Sequence, residues 1–501
     1  MDFIKNHRYT ILFWTILLVA LLTRIYLWPN LLELNIDEAM TTVNANAIAQ
    51  TGKDIYNVSF PVYLEAWGFA GQSVMLNYIM AICIKIFGFS LFSIRLPMML
   101  VSILSLFVFY DLTKRIFKSK KIALVALALL AICPWHILQS KWSIDCNMFP
   151  HFALFAIYFL YRGICEKKGF LYVSMIFFGL TMYTYGISIY FIPLFLLISA
   201  IYLLIHKKIT IKELLLCILI YIVVFSPLLI MYIINFFKID KEISLGFLSI
   251  RYFANSSRTG DMLLFSENII GQFFSNIISL ARIMFIQYDH LEWNATLYFG
   301  TIYHVSLIFA GIAFVHYFIK KEENIGIKLF MLWMILSLFT GIFINDTNIN
   351  RINILWYPFL FLTLYGLVIS YRKMKSKKIF IYGVGAIYIA LFIAYNVFFY
   401  SSYYRDINLS GCFSNGLKEA VTYVNNYDKN KYYLNTESNY GYYIYMQVYN
   451  GISNQNIIES KQLDNLDTKA IYIIESSKFD ESVFKDWQVK YFDKYVVMMK
   501  E

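Results

Sequence analysis

Residues 11–28 read ILFWTILLVALLTRIYLW, and shortly after them comes Leu34-Asn35-Ile36-Asp37-Glu38-Ala39. The first stretch carries one charge, Arg24, and is about as long as a helix that crosses the hydrocarbon of a bilayer. The second places an adjacent acidic pair in the first polar loop. A carboxylate there faces water and lipid headgroups together, where an enzyme would hold a general base for a lipid-borne substrate. The plainer reading is a cap. Residues 40–50 have helix-forming composition, and acids at a helix start are stabilised by its unpaired N–H groups.

Composition widens that first span into a class. With 59% hydrophobic and 15% charged residues and a mean hydropathy of +0.58 over 501 residues, the chain is a polytopic membrane protein. No small-residue cleavage site follows 11–28, which therefore reads as a retained span and not a signal peptide. The net charge of +11 falls in short clusters at 5–8, 114–121, 162–168, 206–212, 320–328 and 372–378. Such clusters orient a membrane protein, so no nucleic-acid partner is expected. Six scattered cysteines show no metal-ligand spacing or disulfide framework. The sequence has no Gly-rich phosphate loop, GxSxG, HExxH or internal repeat.

With every basic cluster in the cytoplasm, consecutive clusters are separated by an even number of crossings. The spans are then 11–28 and roughly 91–112, 122–137, 148–163, 170–186, 188–205, 214–236, 300–319, 327–344, 353–371 and 379–400, about eleven in all. Residues 74–87 are too short to cross and carry Lys85, so they are expected along the outer interface. The predicted fold is an all-α polytopic membrane domain over 1–400, with external loops at 29–90, 138–147, 238–299 and 345–351. A small external α/β domain follows over 401–501, with a helix near 416–426 and strands near 432–434, 470–474 and 489–498. This predicts a multi-pass protein of a bacterial plasma membrane, N-terminus cytoplasmic and C-terminal domain extracytoplasmic.

A second acid, Asp145 in Trp142-Ser143-Ile144-Asp145-Cys146-Asn147, lies in another outer loop, as the start of a helix or as a partner of the first pair. Asp37, Glu38 and Asp145 are the candidate catalytic residues. They also offer oxygen ligands for a divalent metal, with no histidine close by in sequence to complete a site; metal dependence stays open. Arg351, among amides in Asn348-Ile349-Asn350-Arg351-Ile352-Asn353, suits a phosphate or sugar hydroxyls, or anchors at the interface. Lys141, Tyr185 and Arg258 join it as candidate substrate-binding residues, Arg258 with Arg251 and Arg282 on weaker grounds. Arg24 is expected to serve structure.

In order and spacing, Asp37-Glu38-Ala39, the 88–97 stretch ending Arg95-Leu96-Pro97, Trp142-Ser143-Ile144-Asp145 and the 185–193 stretch resemble the GT-C superfamily of membrane glycosyltransferases. The similarity is to its protein O-mannosyltransferase and lipid A aminoarabinose transferase group, over roughly 10–400. The resemblance implies transfer of a sugar from a polyprenyl phosphate to an extracytoplasmic acceptor, a cell-envelope lipid, glycan or protein, with inversion. It implies Asp37 as base and Asp145 in support. Those relatives carry a first-loop Lys-Pro on the donor phosphate. Here the comparable stretch, 63–73, has no lysine, which turns attention to Arg351 or an arginine of the large loop. A transporter or flippase of lipid-linked sugars is the alternative from another class, and a polymerase of such lipids the alternative within it. The acids stand in outer loops and not inside the spans, which favours transfer.

Overall fold

The computed structural model describes residues 2–66, 70–253, 262–424, 427, 432–435, 457–459 and 466–500. In chain order its helices are α1 (Asp2–Ile25), α2 (Ile36–Thr51), α3 (Met75–Phe87), α4 (Leu91–Phe117), α5 (Lys120–Ala131), α6 (Pro134–Gln139), α7 (Asp145–Cys165) and α8 (Gly169–Thr181). They continue as α9 (Ser188–Ile205), α10 (Ile211–Phe236), α11 (Ile269–Ile286), α12 (Val305–Ile319), α13 (Ile325–Phe343), α14 (Trp356–Lys373), α15 (Lys377–Phe399) and α16 (Leu417–Val424). Among the described residues nine are long and apolar enough to cross a membrane: α1, α4, α7, α9, α10, α11, α13, α14 and α15. The expected eleven include three segments whose helices are short: α5, α8 and α12, of 12, 13 and 15 residues. α5 is prolonged by α6, which Pro134 opens at a position where a missing N–H is tolerated.

α7 and α14 run through the middle of the bundle and are buried along most of their length, whereas α1, α10 and α15 turn apolar side chains such as Leu22, Val223 and Ile389 outward. Exposed apolar stripes of this kind match hydrocarbon as solvent. The loops after α4, α7, α9 and α12 share one end. Arg115 pairs with Glu166, Lys168 Nζ lies 3.5 Å from Glu213, and Asn324 donates to the Ile116 carbonyl at 3.0 Å. This end is the basic face.

The opposite face carries α2, α3 and two antiparallel hairpins, β1 (Leu64–Ala66) with β2 (Ala70–Gln72) and β3 (Ile243–Leu245) with β4 (Leu248–Ile250). α3, read in sequence as lying along the interface, packs Leu76, Met80 and Ile84 against α2 and α4 and leaves Ile82, Ile86 and Phe87 exposed.

α11 is the main departure from the sequence reading, which treats 238–299 as loop. Its 18 residues span about 27 Å at 1.5 Å per residue, and several of its contacts reach the end of α13 and the loop after it. Before it, Ser266 accepts from Asn345 Nδ2 at 2.8 Å; within it, Asn276 donates to the Ile342 carbonyl at 2.9 Å; after it, Asp289 accepts from the Ile349 N–H at 2.9 Å. Ile270, Phe274 and Ile278 on it are exposed.

After α15 the described residues form a mixed sheet of β5 (Tyr432–Asn435), β6 (Ile457–Glu459), β7 (Ile471–Glu475), β8 (Gln488–Phe492) and β9 (Tyr495–Met499), in the order β6-β5-β7-β9-β8. β5 runs parallel to β6 and β7, and β9 antiparallel to β7 and β8. The single run expected over 489–498 is a hairpin that turns at Asp493, whose φ is 45°, while β6 has no counterpart in the sequence reading. α16 covers one face of this sheet. The domain is tied to the first loop: Ser414 N–H donates to the Leu34 carbonyl at 3.2 Å and Glu33 N–H to Asn415 Oδ1 at 3.1 Å.

Candidate active site

Asn35 is the N-cap of α2. Its side chain accepts from the Glu38 N–H at 2.8 Å, and Glu38 Oε2 accepts from the Asn35 N–H at 3.4 Å, a reciprocal capping box. Glu38 is also fully buried against Arg95 of α4. Nε donates to Oε1 at 3.0 Å and Nη2 to Oε2 at 2.8 Å, while the Ser143 N–H donates to Oε1 at 2.8 Å. Arg95 spends its remaining donors on the Pro29, Leu32 and Glu33 carbonyls. One guanidinium therefore organises the whole approach to the acidic pair. The local cap is made by Asn35 and Glu38, and Asp37, in the same first turn, stays half-buried.

Asp145 opens α7 and is half-buried, its Oδ1 accepting the Cys146 N–H at 2.7 Å. Ser143, two residues earlier, donates from its hydroxyl to the Ile94 carbonyl, so this loop and the first are fastened to the same turn of α4. Asp37, Asp145 and Asp289 all lie within electrostatic reach of the Cys146 thiol. Two acids 108 residues apart in sequence, and a third from the large loop, thus share one neighbour. Asp289 accepts from Asn294 Nδ2, the Leu291 N–H and the Ile349 N–H. Burial nevertheless raises its carboxyl above the usual range, against those donors.

Arg351 donates from Nη1 to the Asn345 carbonyl at 2.5 Å, and its N–H bonds Asn348 Oδ1 at 3.0 Å. It shares a pocket with Tyr185, Tyr63, Tyr190 and Tyr232. Two residues on, Asn353 is buried and donates to the Cys146 carbonyl and Asn147 Oδ1, both at 3.1 Å, so the arginine loop is bolted to the start of α7. Ile189, Tyr190 and Met262 continue from this pocket into an apolar cavity of about 420 Å³ between α9 and α13, walled by Leu194, Phe339 and Phe343.

The other candidates sit elsewhere. Lys141 is buried, its ammonium donating to the Arg24 and Tyr26 carbonyls at 3.1 Å, and so holds the end of α1. Arg24 donates to the Ala20, Leu130 and Ala131 carbonyls and to His136, a structural role. Arg251 pairs with Glu65 of β1, inside the 63–73 stretch, and Arg282 reaches His290. Arg258 lies outside the described residues. Among the described residues no three His, Cys, Asp or Glu side chains are placed to hold a metal ion. With both Glu38 oxygens taken by Arg95, Ser143 and Asn35, the set Asp37, Glu38 and Asp145 does not fit a metal site.

Residues 71–231 match the family model of dolichyl-phosphate-mannose-protein mannosyltransferases. Over that segment the sequence is similar to a family of membrane glycosyltransferases of the GT-C superfamily. The fold of the chain is similar to that of ArnT from Cupriavidus metallidurans. Bound to undecaprenyl phosphate, that protein superposes with a TM-score of 0.56 at 11% identity, covering 98% of this chain and 97% of the other. Its apo form gives 0.55 at 10% identity, over 99% and 98%. The archaeal oligosaccharyltransferase AglB from Archaeoglobus fulgidus, in complex with an inhibitory peptide and a dolichol-phosphate, gives 0.50 at 13% identity, over 91% of this chain and 65% of that one. No curated protein matches the chain by sequence.

Sequence reasoning missed Asp289 and the aromatic wall of Tyr63, Tyr190 and Tyr232. Asp289 follows an apolar helix with no motif around it. The tyrosines come from three distant segments of a chain with 41 of them. A trace of the signal lay in Tyr63, the first residue of the stretch that departs from the relatives' pattern.

Proposed function

We propose that this glycosyltransferase moves a sugar from a polyprenyl-phosphate donor to an acceptor on a cell-envelope lipid, glycan or protein. The observation that carries the reading is the junction of two unlike sites. Cys146, within electrostatic reach of three carboxylates, is fastened through Asn353 to a pocket that holds an arginine and opens into an apolar cavity. A substrate with an anionic phosphate and a long apolar tail matches the second site, and an acceptor needing a base matches the first.

In this reading Asp37 takes the acceptor proton as the acceptor oxygen or nitrogen attacks the anomeric carbon from the side opposite the phosphate. The bond to the phosphate oxygen breaks in the same displacement, which inverts the centre. The leaving phosphate is already a stable anion, so a strong general acid is not required, and Arg351 holds its charge. Asp145 supports Asp37. Glu38 serves as a positioning residue, fixing the α2 turn through Arg95 and Ser143. No step runs through a metal. The basic face is assigned to the cytoplasm and the acids, the arginine and the C-terminal sheet to the outside, in a bacterial plasma membrane.

Purified protein incubated with a polyprenyl phosphate carrying a radiolabelled sugar tests this. Release of the sugar from the lipid, to water or to added envelope acceptors, is expected. Movement of intact labelled lipid across proteoliposomes without cleavage would assign the chain to transport.

A further inference from the structure

The seam between α9 and α13 holds a second cavity at its far end, next to the basic face. It encloses about 180 Å³ and is lined by Ile198, Ser199, Tyr202, Lys328, Leu329 and Leu332 among others. Lys328 is the fourth residue after Asn324, the N-cap of α13 that donates to the Ile116 carbonyl, so its ammonium sits just inside the level of the basic loops. It donates to Tyr202 Oη at 2.9 Å and stands 5.2 Å from the centre of that ring. Tyr202 in turn stacks on His206, with ring centres 4.0 Å apart. The nearby acid Glu322 accepts from the Tyr365 hydroxyl at 2.6 Å.

Two features of this cavity are unexplained by packing. Ser199 is only 4% exposed, lines the cavity, and its hydroxyl has no hydrogen-bond partner; a buried polar group left unpaired is destabilising. The flanks are apolar and exposed at Ile201, Ile205, Phe318, Ile319 and Ile335, so the cavity opens toward hydrocarbon and not toward water. A cation and free hydroxyl capacity at headgroup depth, beneath an apolar wall, suit an anion that carries its own apolar tail.

We propose that this cavity binds the headgroup of one anionic phospholipid. Lys328 and the Tyr202 and Ser199 hydroxyls meet the phosphodiester, and an acyl chain lies along Ile198, Leu329 and Leu332. The site is distinct from the arginine pocket, since it takes the first turns of α13, while the apolar cavity below Arg351 takes the last, at Phe339 and Phe343.

Native mass spectrometry of the full-length protein in mild detergent tests it, with phosphatidylglycerol and phosphatidylcholine added in equal amounts. Wild type is expected to retain one phosphatidylglycerol in preference. Lys328→Met should cut that retention roughly tenfold, the loss expected for one charge-assisted hydrogen bond. Tyr202→Phe and Ser199→Ala should each cut it less, and they decide the matter if Lys328→Met does not purify. Lys118→Met, in a neighbouring basic loop, should retain the lipid normally. Undiminished retention in all three cavity variants would overturn the proposal, as would equal loss in Lys118→Met, which points to diffuse attraction. Displacement by inorganic phosphate would make the site one for a free anion, and displacement by undecaprenyl phosphate one for the donor.

Discussion

Arg95 of α4 and Glu38 of α2 face each other as a buried two-bond ion pair, Nε to Oε1 at 3.0 Å and Nη2 to Oε2 at 2.8 Å, 57 residues apart in the chain. The pair joins the first loop to the helix that also anchors the Asp145 loop, so its loss should disturb both acids together. Arg95→Ala leaves a buried carboxylate with only backbone donors and should cost about 3–5 kcal/mol. Thermal unfolding in detergent would read this. Arg95→Met combined with Glu38→Met should recover part of the loss, because no uncompensated charge remains. Stability of that double variant no better than Arg95→Met alone would argue against a specific pair.

Lys141 gives a pH signature. Burial, and then the Arg24 and Arg95 charges, lower its ammonium from 10.5 to about 7. The unfolded chain therefore holds the proton across the window from pH 7 to 10.5 while the folded chain releases it, so this group makes stability rise with pH through that window. Below about 7 both states are protonated and its contribution is flat. Lys141→Met should remove that part of the slope, seen as a smaller gain in unfolding temperature between pH 7 and 9 than wild type shows. Identical slopes would mean the ammonium titrates normally.

The membrane class was legible because hydrocarbon and the basic-loop pattern write directly into composition. Asp37 and Asp145 stood out for the same reason, as acids in short loops between apolar runs. What sequence could not supply was pairing at a distance. Nothing near Glu38 announces Arg95, its ion-pair partner, and nothing near Lys141 announces the two carbonyls it closes on. α11 escaped because the even-crossing rule left no span available at 269–286, although the helix there is apolar.

Arg351 is expected to act on the donor. If its guanidinium meets the phosphate in both ground and transition states, Arg351→Ala should raise KM for a polyprenyl-phosphate sugar by roughly 10- to 100-fold, the value of a charge-assisted hydrogen bond, with kcat little changed. Tyr190→Ala, on the wall shared by the arginine pocket and the apolar cavity, should raise KM as well, and more for long-chain than for short-chain donors. A fall in kcat at constant KM would move Arg351 from binding to the chemical step.

Asp37→Asn addresses the mechanism. Because Asn35 and Glu38 already make the reciprocal cap of α2, the amide at position 37 should leave the helix start intact: size and most hydrogen bonding are kept, and only the capacity to take a proton is lost. Transfer should therefore fall by roughly 100-fold or more while the variant inserts, purifies and unfolds within about 1 kcal/mol of wild type, the range usual for substitutions that leave packing untouched. Asp145→Asn should lower turnover too, by less if it supports Asp37 and does not itself accept the proton. Full activity in a well-folded Asp37→Asn variant would transfer the base role to Asp145 or Asp289, the two other carboxylates that converge on Cys146. The Asp37→Asn, Asp145→Asn double variant then separates a shared base from a single one, since acids acting as one unit lose little more together than the worse of the two alone.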